Sequence, residues 1–199
     1  MSTTNNHTMK SATAADFAGH CNESAAWQIL KEISGQLIEH KQRIVNPFLI
    51  SIGDDGHFNL MPSETQQASY DAPEIGTTTR TESATVWSMG AVLYFLVMGR
   101  EVMNGKGGPG QSRTSKLPYM RSEWPALSEL VQRCLQYTPN SRPSLQEIHD
   151  IAAQNLERCR NDIKHGPKFK PAKQAQTNGA NPTETELAFW PETMKYNNK

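Results

Sequence analysis

The sequence predicts a mainly α fold of the α+β class, with one short β-hairpin. Three observations predict it. Ile29, Leu30, Ile33 and Leu37 fall at helical spacing, and Val86 to Met98 is apolar almost all round. Between these two runs, Phe48-Leu49-Ile50-Ser51-Ile52 and His57-Phe58-Asn59-Leu60 flank Gly53-Asp54-Asp55-Gly56, which is turn chemistry between two strand-like runs.

The elements follow in order. Met1 to about Cys21 is rich in Ser, Thr, Asn and Ala, and residues 1–21 are expected to be disordered or loosely attached. A first helix begins near Trp27 and leads to the hairpin. The run ending at Met98 is followed by Gly99, a helix-ending residue, and its lack of a polar face places it in the middle of the fold. Asn104 to Pro118 reads as loop. Leu127, Leu130, Val131, Cys134 and Leu135 match an amphipathic helix that Thr138-Pro139 ends. Ser144 and Glu147 have capping-box spacing ahead of a last helix through Ile148, Ile151 and Leu156. Residues 22–158 are expected to form the folded unit, and residues 159–199 a basic, then polar tail with an aromatic cluster at Phe189-Trp190-Pro191.

Composition narrows the function classes. Lys and Arg number 20 against 20 Asp and Glu, so no net charge draws the chain to nucleic acid or to an anionic membrane. The longest apolar run is shorter than the roughly 20 residues a membrane span needs. Cys21, Cys134 and Cys159 are far apart and lack metal-binding spacing, which fits reduced thiols in a cytoplasmic protein. His40, and His57 beside Asp54 and Asp55, read as surface and turn residues rather than as a metal site or a base. Gly105 to Gly110 matches G-x-G-x-x-G, but it follows a helix and opens no strand–turn–strand, so it reads as a plain loop.

Four segments carry a family resemblance. Asp71-Ala72-Pro73-Glu74 resembles the Ala-Pro-Glu signature of the protein-kinase family. Trp87-Ser88-Met89-Gly90 resembles the Trp-Ser-x-Gly of that family's central helix. Asp55 to Leu60 is similar to the hairpin leading into Asp-Phe-Gly. Cys134 to Pro143 is similar to a segment near the end of the lobe. Their order implies a kinase C-terminal lobe over about Ala25 to Leu156. By the same resemblance, Glu74 pairs with Arg142, while Pro73 and Trp87 are scaffold residues.

The positions that would perform phosphoryl transfer are degenerate. That chemistry needs carboxylates on Mg²⁺, a lysine on the nucleotide and an Asp orienting the acceptor hydroxyl. Pro62 stands where the resemblance puts the metal-binding Asp, and it has no side-chain oxygen. The catalytic loop aligns in two ways. With Ile44-Val45 as the anchor, the preferred register, Asn46 falls on the His of His-Arg-Asp. With His40-Lys41-Gln42 as the anchor, Gln42 replaces the Asp and Pro47 the metal-binding Asn. Thr85 replaces an Asp that holds the loop backbone, as expected if there is no such loop to hold. Nine residues separate Pro62 from Ala72, a shrunken activation segment. The 26 residues ahead of Trp27 hold no Val-Ala-x-Lys strand and no helix glutamate, so an N-terminal lobe is expected to be absent.

The resemblance thus implies a catalytically inactive pseudokinase with no cofactor and no metal. It would act as an interaction or regulatory module whose partner is a protein, such as an active kinase or its substrate. The competing reading is residual ATP binding or Ser/Thr kinase activity, with the missing lobe supplied by another chain. A decayed product without a selected role is a third. Arg158 to Lys173 carries six Lys/Arg and one Asp, a local net charge of +5. Phe189 and Trp190, with Phe169, are either packed back on the lobe or a docking motif.

Overall fold

The computed structural model describes residues 12–65, 67–75, 80–102 and 120–165, with side chains up to residue 161. Among the described residues, four α-helices and a two-stranded antiparallel sheet form a mainly α fold: α1 (Glu23–His40), β1 (Ile50–Ile52), β2 (Phe58–Leu60), α2 (Glu82–Met98), α3 (Pro125–Cys134) and α4 (Leu145–His165). Asn22 caps α1, its Oδ1 accepting from the Ala25 N–H at 2.8 Å. The apolar stripe of α1 buries Trp27, Leu30, Ile33 and Leu37 completely or nearly so.

Helix α2 is the centre of the fold. It starts at Glu82, four residues before the apolar run, because the Thr81 hydroxyl accepts from the Ala84 N–H and opens the helix early. Every residue from Ala84 to Tyr94 is buried, and Gly99 closes the helix at φ +69°. Gly90 lets α3 approach: a Cβ there would lie 2.7 Å from Cys134 Cβ and 3.1 Å from Leu135 Cγ. α3 packs on α2, and α4 packs along α1.

The hairpin pairs Ile50 with Leu60, Ser51 with Asn59 and Ile52 with Phe58. The first strand is shorter than the Phe48–Ile52 expected. Asn46 and Pro47 open a 3₁₀ turn over Pro47–Leu49, the Asn46 Oδ1 accepting from the Phe48 N–H, and this turn uses the residues that would have extended the strand.

Three further expectations need correction. Residues 12–21, expected to be disordered or loosely attached, are packed on the rest of the fold. Thr13 bridges Ser51, Ala14–Phe17 is a 3₁₀ turn, and Ala14 and Cys21 are buried. Small residues hide this from a reading based on large apolar side chains; residues 1–11 lie outside the described ones. The boundary at 158 is also too early, since α4 runs on to His165. The capping box of α4 is half formed. The Glu147 N–H donates to Ser144 Oγ at 3.1 Å, while the Glu147 carboxylate turns to Arg133. The Leu145 N–H is satisfied from a distance instead, by Glu82 Oε1 at 3.0 Å.

Candidate functional site

The loop between α1 and β1, the exit of the hairpin and the start of α2 converge on one place. Lys41 ends α1 in the left-handed conformation (φ 53°), which turns the chain into the loop 41–46. Ile44 and Val45 are buried, so the loop is anchored from beneath. Thr85 Oγ1 then donates to the Arg43 carbonyl at 3.0 Å and sits 3.2 Å from the Thr81 carbonyl. The expectation that Thr85 has no loop to hold is therefore corrected. The loop is short, and a hydroxyl of the right reach still holds its backbone.

Two further positions that the resemblance singles out, Gln42 and Asn46, bond backbone groups. Gln42 Nε2 donates to the Ile44 carbonyl at 2.8 Å and the Met61 carbonyl at 3.3 Å, joining the loop to the hairpin exit. The Met61 N–H donates to the Leu49 carbonyl at 2.7 Å. Asn46 is buried and caps the turn that follows. Pro62, the next residue along the exit, is exposed. Among the described residues no group of three or more His, Cys, Asp or Glu is placed to hold a metal ion.

Glu74 and Arg142 form the second centre. Arg142 Nη1 meets Glu74 Oε1 at 2.6 Å, and Nη2 meets Oε2 at 2.9 Å. The other guanidinium donors reach carbonyls: Nε to Gln136 (2.8 Å), Nη1 to Ser83 (2.9 Å) and Nη2 to Tyr137 (3.2 Å). The five N–H donors of a guanidinium thus have five acceptors, with the Arg142 side chain fully buried and that of Glu74 20% exposed. One side chain thereby joins the turn after Pro73, the start of α2 and the segment between α3 and α4. Nearby, Ser88 Oγ donates to the Tyr70 carbonyl at 2.6 Å, and Arg80 pairs with Asp71 at 2.7 Å. Trp87 is fully buried.

Sequence reasoning missed a third group. Gln28, Glu32 and Gln36 stand one helical turn apart on α1 and bond the outer edge of the hairpin. Glu32 Oε2 accepts from the Phe58 N–H (2.8 Å) and Gln36 Oε1 from the Leu60 N–H (2.8 Å). Gln36 Nε2 donates to the Phe58 carbonyl (2.8 Å), and Gln28 Nε2 to the Gly56 carbonyl (3.1 Å). Glu32 Oε1 also meets His57 Nδ1 at 2.7 Å. That hydrogen bond, with the charge of Glu32 behind it, raises the His57 pKa above 6.5. The i, i+4, i+8 polar spacing was the signal available in the sequence. Burial pushes the thiols of Cys21 and Cys134 up to about 12, so neither is a nucleophile at neutral pH. Phe189, Trp190, Phe169 and the Gly105–Gly110 loop lie outside the described residues.

Comparison with known proteins agrees with this geometry at a coarse level. No model of a known protein family matches the chain. Ribosomal protein S6 kinase delta-1 of Mus musculus is 31% identical over 121 residues, a match that takes in 52% of this chain and 11% of the kinase. The Homo sapiens protein of the same name matches to the same extent. The chain therefore holds a kinase-related region and spans about a tenth of the length of these relatives. No helix among the described residues is long and apolar enough to cross a membrane.

Proposed function

We propose that the chain is a catalytically inactive, pseudokinase-like lobe that serves as a protein-interaction or regulatory module. The observation that carries this reading is the use of the loop amides. Gln42 and Asn46 bond backbone groups of the loop, the hairpin exit and the turn after it, and the residue beyond Met61 is a proline. Holding Mg²⁺ on nucleotide phosphates calls for at least one carboxylate, and neither the carboxamides of Gln42 and Asn46 nor the proline ring of Pro62 supplies one. Glu74, Arg142 and Thr85 meanwhile keep the scaffold closed, which suits a surface presented to a protein partner. An active kinase or its substrate is the partner proposed.

Residual nucleotide binding, with a lobe supplied by a second chain, is the competing reading. A ligand that binds the folded state raises its melting temperature. The full chain is expected to melt at the same temperature with and without millimolar Mg²⁺-ATP. A rise that grows with nucleotide concentration would overturn the proposal in favour of the competing one.

A further inference from the structure

We propose that residues 12–21 are a fixed edge seal. Together with polar side chains of α1, they leave the hairpin no open strand edge among the described residues. The seal keeps two copies of this chain from pairing through β1, and it rules out strand addition there as the way a partner docks. Only the bearing on a partner rests on the interaction-module reading.

A two-stranded sheet has two outer edges, and each carries backbone groups that recruit another chain when bare. On β2, the Phe58 and Leu60 N–H groups donate to Glu32 Oε2 and Gln36 Oε1, both at 2.8 Å, so side chains of α1 stand where a third strand would. On β1, the Ile52 N–H serves the opposite side. It donates to the Ala12 carbonyl at 3.0 Å, and Thr13 bridges Ser51 in antiparallel fashion. Neither closure offers a new edge in its turn. After Thr13 the chain leaves the strand direction for the 3₁₀ turn Ala14–Phe17, and the Thr13 N–H is taken up by Asp16 Oδ2 at 2.8 Å.

The seal is part of the core. The turn Ala14–Phe17 packs against β1, the turn Pro47–Leu49 and α2, and Ala14 and Cys21 are buried within the core cluster. Its far end is fastened to α2, where the Gly19 and Cys21 N–H groups donate to the Leu96 carbonyl at 2.8 and 3.3 Å. Leu96 lies in the last turn of that helix, whose carbonyls have no partner within it. Gly19 (φ +79°) and Gly99 (φ +69°) let the two backbones meet, since a Cβ on Gly19 would stand 3.2 Å from Gly99 Cα. A segment rooted in this way stays closed for as long as the lobe is folded. What it excludes is above all a second copy of the chain, because two identical edges paired antiparallel make a closed two-fold contact.

Amide exchange and sedimentation velocity on the full chain test the seal. In the wild-type chain, the Ile52 amide is expected to exchange no more than about tenfold faster than Leu93 in the core of α2. Faster exchange than that would overturn a fixed seal. Gly19→Val, whose side chain meets the Gly99 backbone, should speed Ile52 at least about tenfold relative to Leu93 and add concentration-dependent association beyond that of the wild-type chain. Asp16→Ala, at an exposed position, loosens the turn from its other end and carries the test where Gly19→Val loses its cooperative melting transition. Adding Ile52→Pro removes the outward donor and should return either variant to wild-type sedimentation. A folded variant with a fast Ile52 amide and no added association would refute the proposal. So would association that survives Ile52→Pro, or Ile52 exchange left unchanged by both substitutions. A nucleotide-dependent melting shift would sink the inactive-lobe reading and leave the seal standing, so the two failures are distinct.

Discussion

Arg142 shows how much of this molecule's architecture can rest on one side chain. Its guanidinium joins a carboxylate and three backbone carbonyls from segments far apart in sequence. Arg142→Ala removes the donor that Glu74 and those carbonyls share, and breaking such a buried pair costs about 3–5 kcal/mol. Thermal unfolding should show a sharply lowered melting temperature, and Arg142→Lys should recover little, because an ammonium cannot reproduce the planar fork. Thr85→Val keeps the shape and removes the hydroxyl, leaving the Arg43 carbonyl unsatisfied at a cost of about 1 kcal/mol. His57 gives a pH dependence. Its pKa is raised in the folded state, so its contribution is complete below 6.5 and fades as pH rises through the folded value. Asp55 favours the charged form as Glu32 does, and Arg160 opposes it. Exchange of the Phe58 amide should therefore quicken on alkaline titration beyond its intrinsic rate, and His57→Gln should remove that excess. The pairing of Glu74 with Arg142 was legible because both lie in recognisable motifs. The partner of Thr85 was not, since a backbone carbonyl 42 residues away leaves no mark on the sequence.

At the scale of elements, side-chain pattern foretold helices better than strands. Helices α1, α2 and α3 follow from apolar spacing, because burial on one face, or all round for α2, selects the residues. The hairpin was legible from its turn, yet β1 is short because Asn46 and Pro47 divert the chain into a 3₁₀ turn. A two-stranded hairpin is marginal alone. The three polar side chains of α1 make up for this by serving its outer edge. Gln36→Ala should therefore expose the Leu60 and Phe58 backbone groups, each costing about 1 kcal/mol where no water replaces the bond. Faster exchange at Leu60, with α2 amides unaffected, would register it. Helix–helix contact has its own test in Gly90→Ala, where the added methyl meets Cys134 and Leu135. Such overpacking costs about 1–3 kcal/mol, read from a denaturant midpoint.

At the scale of the molecule, an apolar helix stands at the centre with α1, α3 and the turn Ala14–Phe17 against it, while the hairpin packs on α1. The overall class was readable because burial is written in apolar spacing. The packing of residues 12–21 was not, because Ala, Thr and Gly carry contact through backbone rather than through large side chains. The central claim is that the loop at Gln42, Asn46 and Pro62 is structural and holds no Mg²⁺-nucleotide. Isothermal titration of the full chain with ATP in the presence of Mg²⁺ measures this most directly. The account predicts no heat beyond dilution up to millimolar nucleotide; a saturable, Mg²⁺-dependent isotherm would contradict it.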